Sequence, residues 1–145
     1  MLSKGVKIFL LFSMLAAIQC RSYGQTLEAI RSLETSNQEC RDKGQNMLRC
    51  TTVFYIEMDS ILHVAYSSLS KRLTAGETEV LKREEREWVK KKDAYFKKHV
   101  SEVEVQVDAK KSEWGEIGYQ VLYADEADFI KERAIELIKR LNKQA

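Results

Sequence analysis

The stretch MLRCTTVFYIEMDSILHVAYSSLSKRL, residues 47–73, decides the fold class. Its apolar positions are Met47, Cys50, Phe54, Met58, Ile61, Leu62, Ala65, Leu69 and Leu73. Steps of three and four residues place them on one face of a helix, whereas a strand would need strict alternation. The pattern predicts a helix over residues 46–72.

Working outward, the same period recurs. Leu27 and Ile30, with Arg31 and Glu34, predict a short first helix over 26–41. Thr74-Ala75-Gly76-Glu77 has the Thr-x-x-Glu form of a capping box, which opens a third helix. Its expected apolar face is Val80, Leu81, Trp88, Val89, Tyr95 and Phe96, with Glu79/Arg83 and Glu87/Lys91 as acid-first pairs on the polar face. A fourth helix over 118–143 presents Val121, Leu122, Ala127, Ile130, Ala134, Leu137, Ile138 and Leu141, with Glu136/Arg140 as a further pair. Between the last two, Val100, Val103, Val105 and Val107 end in alternation with Glu104, Gln106 and Asp108. This segment reads either as an extended, strand-like piece or as a helix tail fraying into a loop. The fold class expected is all-α, a small bundle of three to four helices with an N-terminal disulfide.

Composition agrees. The chain of 145 residues is one domain's worth of material, and 44% hydrophobic with 9% aromatic residues excludes intrinsic disorder. With no proline and six glycines, collagen, linker-rich architectures and turn-dense β-sandwiches are excluded.

Residues 1–24 carry Lys4, Lys7 and Arg21 but no acid, and Ile8 to Ile18 is almost wholly apolar. A basic start, a short apolar stretch and a small-residue exit form a secretory signal peptide rather than a membrane span. Cleavage after Gly24 puts small residues, Gly24 and Ser22, where signal peptidase needs them. Lipidation of Cys20 competes, although Gln19 is not the small residue that reaction favours, and a retained anchor is a third outcome. The expected division is therefore 1–24 as signal peptide and 25–145 as the mature domain. Removing the signal lowers the basic residues from 24 to 21 against 22 acids, so compositional support for a nucleic-acid partner disappears.

Two cysteines then remain, Cys40 and Cys50. An even pair in an exported chain reads as a disulfide, and the spacing is not the Cys-x-x-Cys of a redox centre. On one continuous helix residues ten apart sit roughly 15 Å apart, while bridged Cα atoms must lie within roughly 7 Å. The chain must reverse between them, and Gly44 is the natural breaker.

A search for chemistry is mostly negative. His63 and His99 have no metal-ligand spacing around them, and neither a Gly-rich phosphate loop nor a Gly-x-Ser-x-Gly elbow occurs. Acid pairs such as Glu84–Glu85 are expected of solvated helix faces in a chain with 22 acids. The lysines Lys90, Lys91, Lys92, Lys97 and Lys98 are diluted by neighbouring acids and read as a solvated face. No catalytic residue, cofactor or metal is expected, and the chain does not read as an enzyme.

A further pattern emerges in order along the chain: Cys40-x9-Cys50, Asp59-x-x-Leu62-x-x-x-Tyr66-x-x-Leu69, then Leu81, Glu85, Trp88 and Lys92-Asp93, and finally Arg133-x-x-x-Leu137. This resembles the lysozyme-inhibitor LprI-like N-terminal domain family. The family pattern is a cysteine pair, Asp-x-x-Leu-Asn-x-x-Tyr, Leu-x-x-x-Gln-x-x-Trp, Arg-Asp and a late Arg-x-x-x-Leu. Here His63 replaces the usual Asn, Glu85 the Gln and Lys92 the Arg. Phe96 stands where many members carry a third cysteine, and the last helix lacks the fourth. The resemblance implies an exported helical domain and, for some members, lysozyme inhibition. Asp59, Leu62, Tyr66, Leu69, Leu81, Trp88, Asp93, Arg133 and Leu137 are expected to hold the fold, with Asp59 and Asp93 as network partners of Lys92 or Tyr66. Trp88 is expected to anchor the core between the second and third helices.

Two functions follow as expectations. One is an exported binding protein that inhibits a cell-wall hydrolase such as lysozyme, through the segment 100–118 with Glu113 and Trp114 as the contact. The other is a structural or accessory periplasmic interaction module with a protein partner and no inhibitory activity.

Overall fold

The computed structural model describes residues 27–110 and 115–144 (for 106–110 the backbone only). Four helices follow in order: α1 Leu27–Asp42, α2 Met47–Ser70, α3 Ala75–Lys110 and α4 Gly115–Lys143. No strand occurs among the described residues, and no helix there is long and apolar enough to cross a membrane. The proposed signal peptide, Cys20 included, lies outside the described residues, as do Glu113 and Trp114.

Local chemistry sets each boundary. The reversal between α1 and α2 uses Gly44 at φ +67° and Asn46 at φ 54°, and the Gly44 N–H donates to the Arg41 carbonyl at 2.9 Å. The left-handed region costs glycine nothing and asparagine little, so both sit where the chain must turn sharply. The turn brings the Cα atoms of Cys40 and Cys50 to 5.8 Å, and the two form the expected disulfide. At the start of α3 the capping box forms reciprocally. The Thr74 N–H donates to Glu77 Oε2 at 2.9 Å, the Thr74 hydroxyl to the same oxygen at 2.7 Å, and the Glu77 N–H to Thr74 Oγ1 at 3.4 Å. These bonds hold the Glu77 carboxyl below its ordinary range.

The aliphatic core lies between α2 and α4. Phe54, Met58, Ile61, Leu62, Ala65 and Leu69 from α2 meet Ala127, Ile130, Ala134, Leu137, Ile138 and Leu141 from α4. Ala29 and Ile30 of α1 complete it, and α3 adds the buried Leu81. The Arg72 guanidinium donates to the Leu141 carbonyl at 3.4 Å, so the far ends of α2 and α4 lie together and the two helices run the same way.

Three sequence expectations change. The segment from Val100 does not become extended or fray: α3 continues as a helix of 36 residues to Lys110. Extending an existing helix avoids the nucleation penalty, and no strand among the described residues offers a competing ladder. A helix cannot point alternate residues one way, so Val100 and Val103 are half-buried while Val105 is 68% exposed. Val80, Val89 and Val121 were expected on apolar faces but lie exposed. Glu79 and Glu87 pair with Lys82 and Lys90, at 2.7 and 2.8 Å, rather than with Arg83 and Lys91. Glu136 does reach Arg140, at 3.7 Å.

Candidate functional site: the seam between α3 and α4

A helix needs an inward position every three or four residues to stay attached to its neighbour. On α3 that row is Leu81, Glu84 and Glu85, Trp88, Lys92, Tyr95 and Phe96, and His99. Only the first is a buried aliphatic residue. The rest of the attachment is ionic near the start of α3 and aromatic further along.

In the ionic part, Arg133 of α4 is 7% exposed, and a buried guanidinium needs acceptors to offset its desolvation. Its Nη2 and Nε donate to Glu85 Oε2 at 3.0 and 3.3 Å, and its Nη1 donates to Glu136 Oε2 at 2.7 Å. Burial alone would lower the Arg133 pKa, but the hydrogen bonds to Glu136 and Glu85 outweigh it and hold the group firmly charged. Two turns on, Arg140 Nη1 donates to Glu84 Oε2 at 2.6 Å. The adjacent acids Glu84 and Glu85 thus each have an arginine partner, which leaves neither free as a general acid or base.

The aromatic part centres on Phe129 of α4. Tyr95 stacks on it at 4.8 Å between ring centroids, Trp88 lies at 5.9 Å, and Phe96 meets it edge-on at 6.0 Å. Phe96 also meets Tyr55 of α2 at 6.4 Å, and Tyr55 meets Tyr123 of α4 at 5.7 Å. Lys92 turns inward, its Nζ 5.9 Å from the Trp88 ring centre and 5.5 Å from that of Phe96. His99 closes the row, 4.2 Å from the Tyr95 ring and with Nδ1 3.9 Å from Asp125 Oδ2.

Beside these rings, Glu126 is 5% exposed. Burial pushes its carboxyl above the ordinary range, and the Lys92 charge pulls it partly back. The hydroxyls of Tyr55 and Tyr95 are also pushed up, first by burial and then by nearby carboxylates including Glu126. Among the described residues no three His, Cys, Asp or Glu side chains converge as a metal-ligand set. The arrangement binds helix to helix; it presents no nucleophile with a base beside it.

The motif positions distribute as follows. Leu62, Leu69, Leu81 and Leu137 lie in the core. Tyr66 is half-buried against it and shares a shallow groove with Glu85 and Val89. Arg133 meets Glu85, which stands at the family's Gln position. Trp88 packs against the core cluster that α2 and α4 share, and its ring contact, to Phe129, adds α4 to the expected place between the second and third helices. Asp93 is exposed, with Oδ1 3.8 Å from Lys92 Nζ, and the Asp59 carboxylate adds, after burial and Glu126, to the upward push on the Tyr55 hydroxyl. Glu126, Phe129, Tyr55 and Tyr123 were missed by the sequence reading. The spacing of Glu126 and Phe129 to Arg133, in steps of three and four, was the signal available for two of them.

Comparison with curated proteins and with solved structures gives no match. The profile of the family described as lysozyme inhibitor LprI matches residues 36–137, from the second half of α1 to the last turns of α4. The match takes in the disulfide, the core of α2 and both sides of the seam, and on it this chain belongs to the lysozyme inhibitor LprI family.

Proposed function

We propose that this protein is exported and inhibits a lysozyme-type cell-wall hydrolase by protein–protein contact. The observation that carries the reading is family membership across residues 36–137. Residues 1–24 act as the signal peptide and 25–145 form the mature domain, in keeping with the basic, apolar, small-residue order of the N-terminus. An oxidising destination suits the Cys40–Cys50 disulfide. Inhibition, the activity in the family's description, needs binding and no turnover, so in this reading the protein acts as a binder.

The contact is made where α3 ends and α4 begins. Glu104 and Glu116 are exposed there, with Val105 and Ile117 exposed beside them in sequence. Glu113 and Trp114 lie between the two ends, and an aromatic anchor beside acids suits the mouth of a basic enzyme's cleft. Calorimetric titration of a basic lysozyme into the purified protein tests this. A saturable complex that weakens as salt is raised is expected. No heat of binding at any ionic strength, with a folded and disulfide-bonded protein, overturns it.

A further inference from the structure

Where α1 turns into α2, a cleft of about 350 Å³ opens against the disulfide. Its walls include the Cys40–Cys50 bridge, Val53 and Phe54, and its polar lip carries Lys43 and Arg49. None of the residues lining it is Asp or Glu, in a chain that has 22 of them. Among the described residues neither Lys43 nor Arg49 makes an ion pair, and no acid in the cleft's lining occupies them. The start of α2, which borders the cleft, has no acid in its first turn.

A concave apolar wall with two cations that pair with no described acid, and no acid in its own lining, has a definite complement. The wall takes an apolar body, and the lip takes one negative charge through charge-assisted hydrogen bonds. We propose that this cleft is a binding site for a small amphiphilic carboxylate, a single carboxylate on an aliphatic or aromatic body. Its size is at the lower end of small-molecule sites, so the ligand is short. The site adjoins the proposed hydrolase contact without belonging to it: Arg49 and Val53 also border a groove that holds Glu116, whereas the cleft itself has a cationic lip that would repel a basic enzyme.

The test uses the purified, disulfide-bonded protein, isotope-labelled and titrated with octanoate while amide shifts are followed. Octanoate is expected to move amides around Asn46–Cys50 saturably. Acetate, which lacks the body, and octanol, which lacks the charge, should each bind at least about tenfold more weakly, the size of one charge-assisted contact or a short apolar tail. Lys43→Gln with Arg49→Gln should weaken octanoate by at least about tenfold, and Lys43→Arg with Arg49→Lys should keep it. Val53→Asp, at an exposed wall position, should repel octanoate without touching either cation, which keeps the test sharp if the glutamine pair fails to fold. Equal affinity for octanol and octanoate, shifts that map away from the cleft, or undiminished binding in the folded glutamine or aspartate variant would each overturn the proposal.

Discussion

Glu85 and Arg133 are 48 residues apart in the chain, yet Arg133 Nη2 lies 3.0 Å from Glu85 Oε2. The pair joins the first half of α3 to the middle of α4, and both residues fall at family-motif positions. It explains how a helix with so few buried aliphatic residues stays attached. Because Arg133 is buried, the pair matters most when it is broken: one lost partner leaves a desolvated charge under-satisfied.

Substitution at Glu85 follows from this. Glu85→Ala leaves Arg133 with Glu136 as its remaining carboxylate, so a loss of roughly 1–3 kcal/mol is expected in urea unfolding. Glu85→Gln restores the family residue and keeps an acceptor, and should cost less than half as much. A glutamine variant less stable than the alanine variant would contradict this account of the pair.

The disulfide closes the α1–α2 hairpin, and α1 contributes only Ala29 and Ile30 as fully buried residues. Replacing Cys40 and Cys50 by Ser should therefore cost about 3 kcal/mol in the loop-entropy picture, with α1 detaching first. Hydrogen exchange checks the order of opening, and mass spectrometry of unreduced peptides checks the bridge itself. Free thiols, or a dimer linked through them, would refute it.

Trp88 is half-buried and stacks obliquely on Phe129 rather than filling the aliphatic core. Trp88→Ala is expected to lose about 3 kcal/mol, the low end for a large aromatic. A double-mutant cycle with Phe129→Ala should return a coupling of roughly 0.5–1.5 kcal/mol. Zero coupling would show that the two rings do not depend on one another.

Glu126 supplies a pH prediction. Its folded-state pKa is raised by burial above the ordinary 4.5, so the unfolded chain releases this proton first as pH rises. Through that window the native state holds more protons than the unfolded state, and stability falls with rising pH. The penalty is absent below the unfolded pKa and complete above the folded one. Glu126→Gln should therefore raise the melting temperature at neutral pH, and the gain should vanish below about pH 4. A variant less stable than the parent at neutral pH would mean that the Lys92 attraction outweighs the burial.

The seam also shows where sequence reading succeeds and where it stops. The helices α1, α2 and α4 were legible because their buried faces are aliphatic and keep the three-to-four-residue step, as from Met58 to Leu69. The Cys40–Cys50 bridge was legible from parity and the turn at Gly44. On α3 the inward row includes Glu85 and Lys92, which hydropathy counts as outward, so Val80 and Val89 took their places in the expectation. Which arginine satisfies Glu85 depends on how α4 lies across α3, and no local spacing encodes a partner 48 residues away. Val103 to Asp108 alternated like a strand, but alternation predicts a strand only where another strand can pair with it.

Activity of a basic lysozyme on cell walls, measured while the purified disulfide-bonded protein is titrated in, tests the central claim most directly. The account predicts that the rate falls with added protein and reaches a floor at a fixed molar ratio, and that Trp114→Ala with Glu113→Ala weakens this while leaving the melting temperature unchanged. A rate that stays constant in the presence of excess folded protein, with more than one lysozyme type, would contradict it.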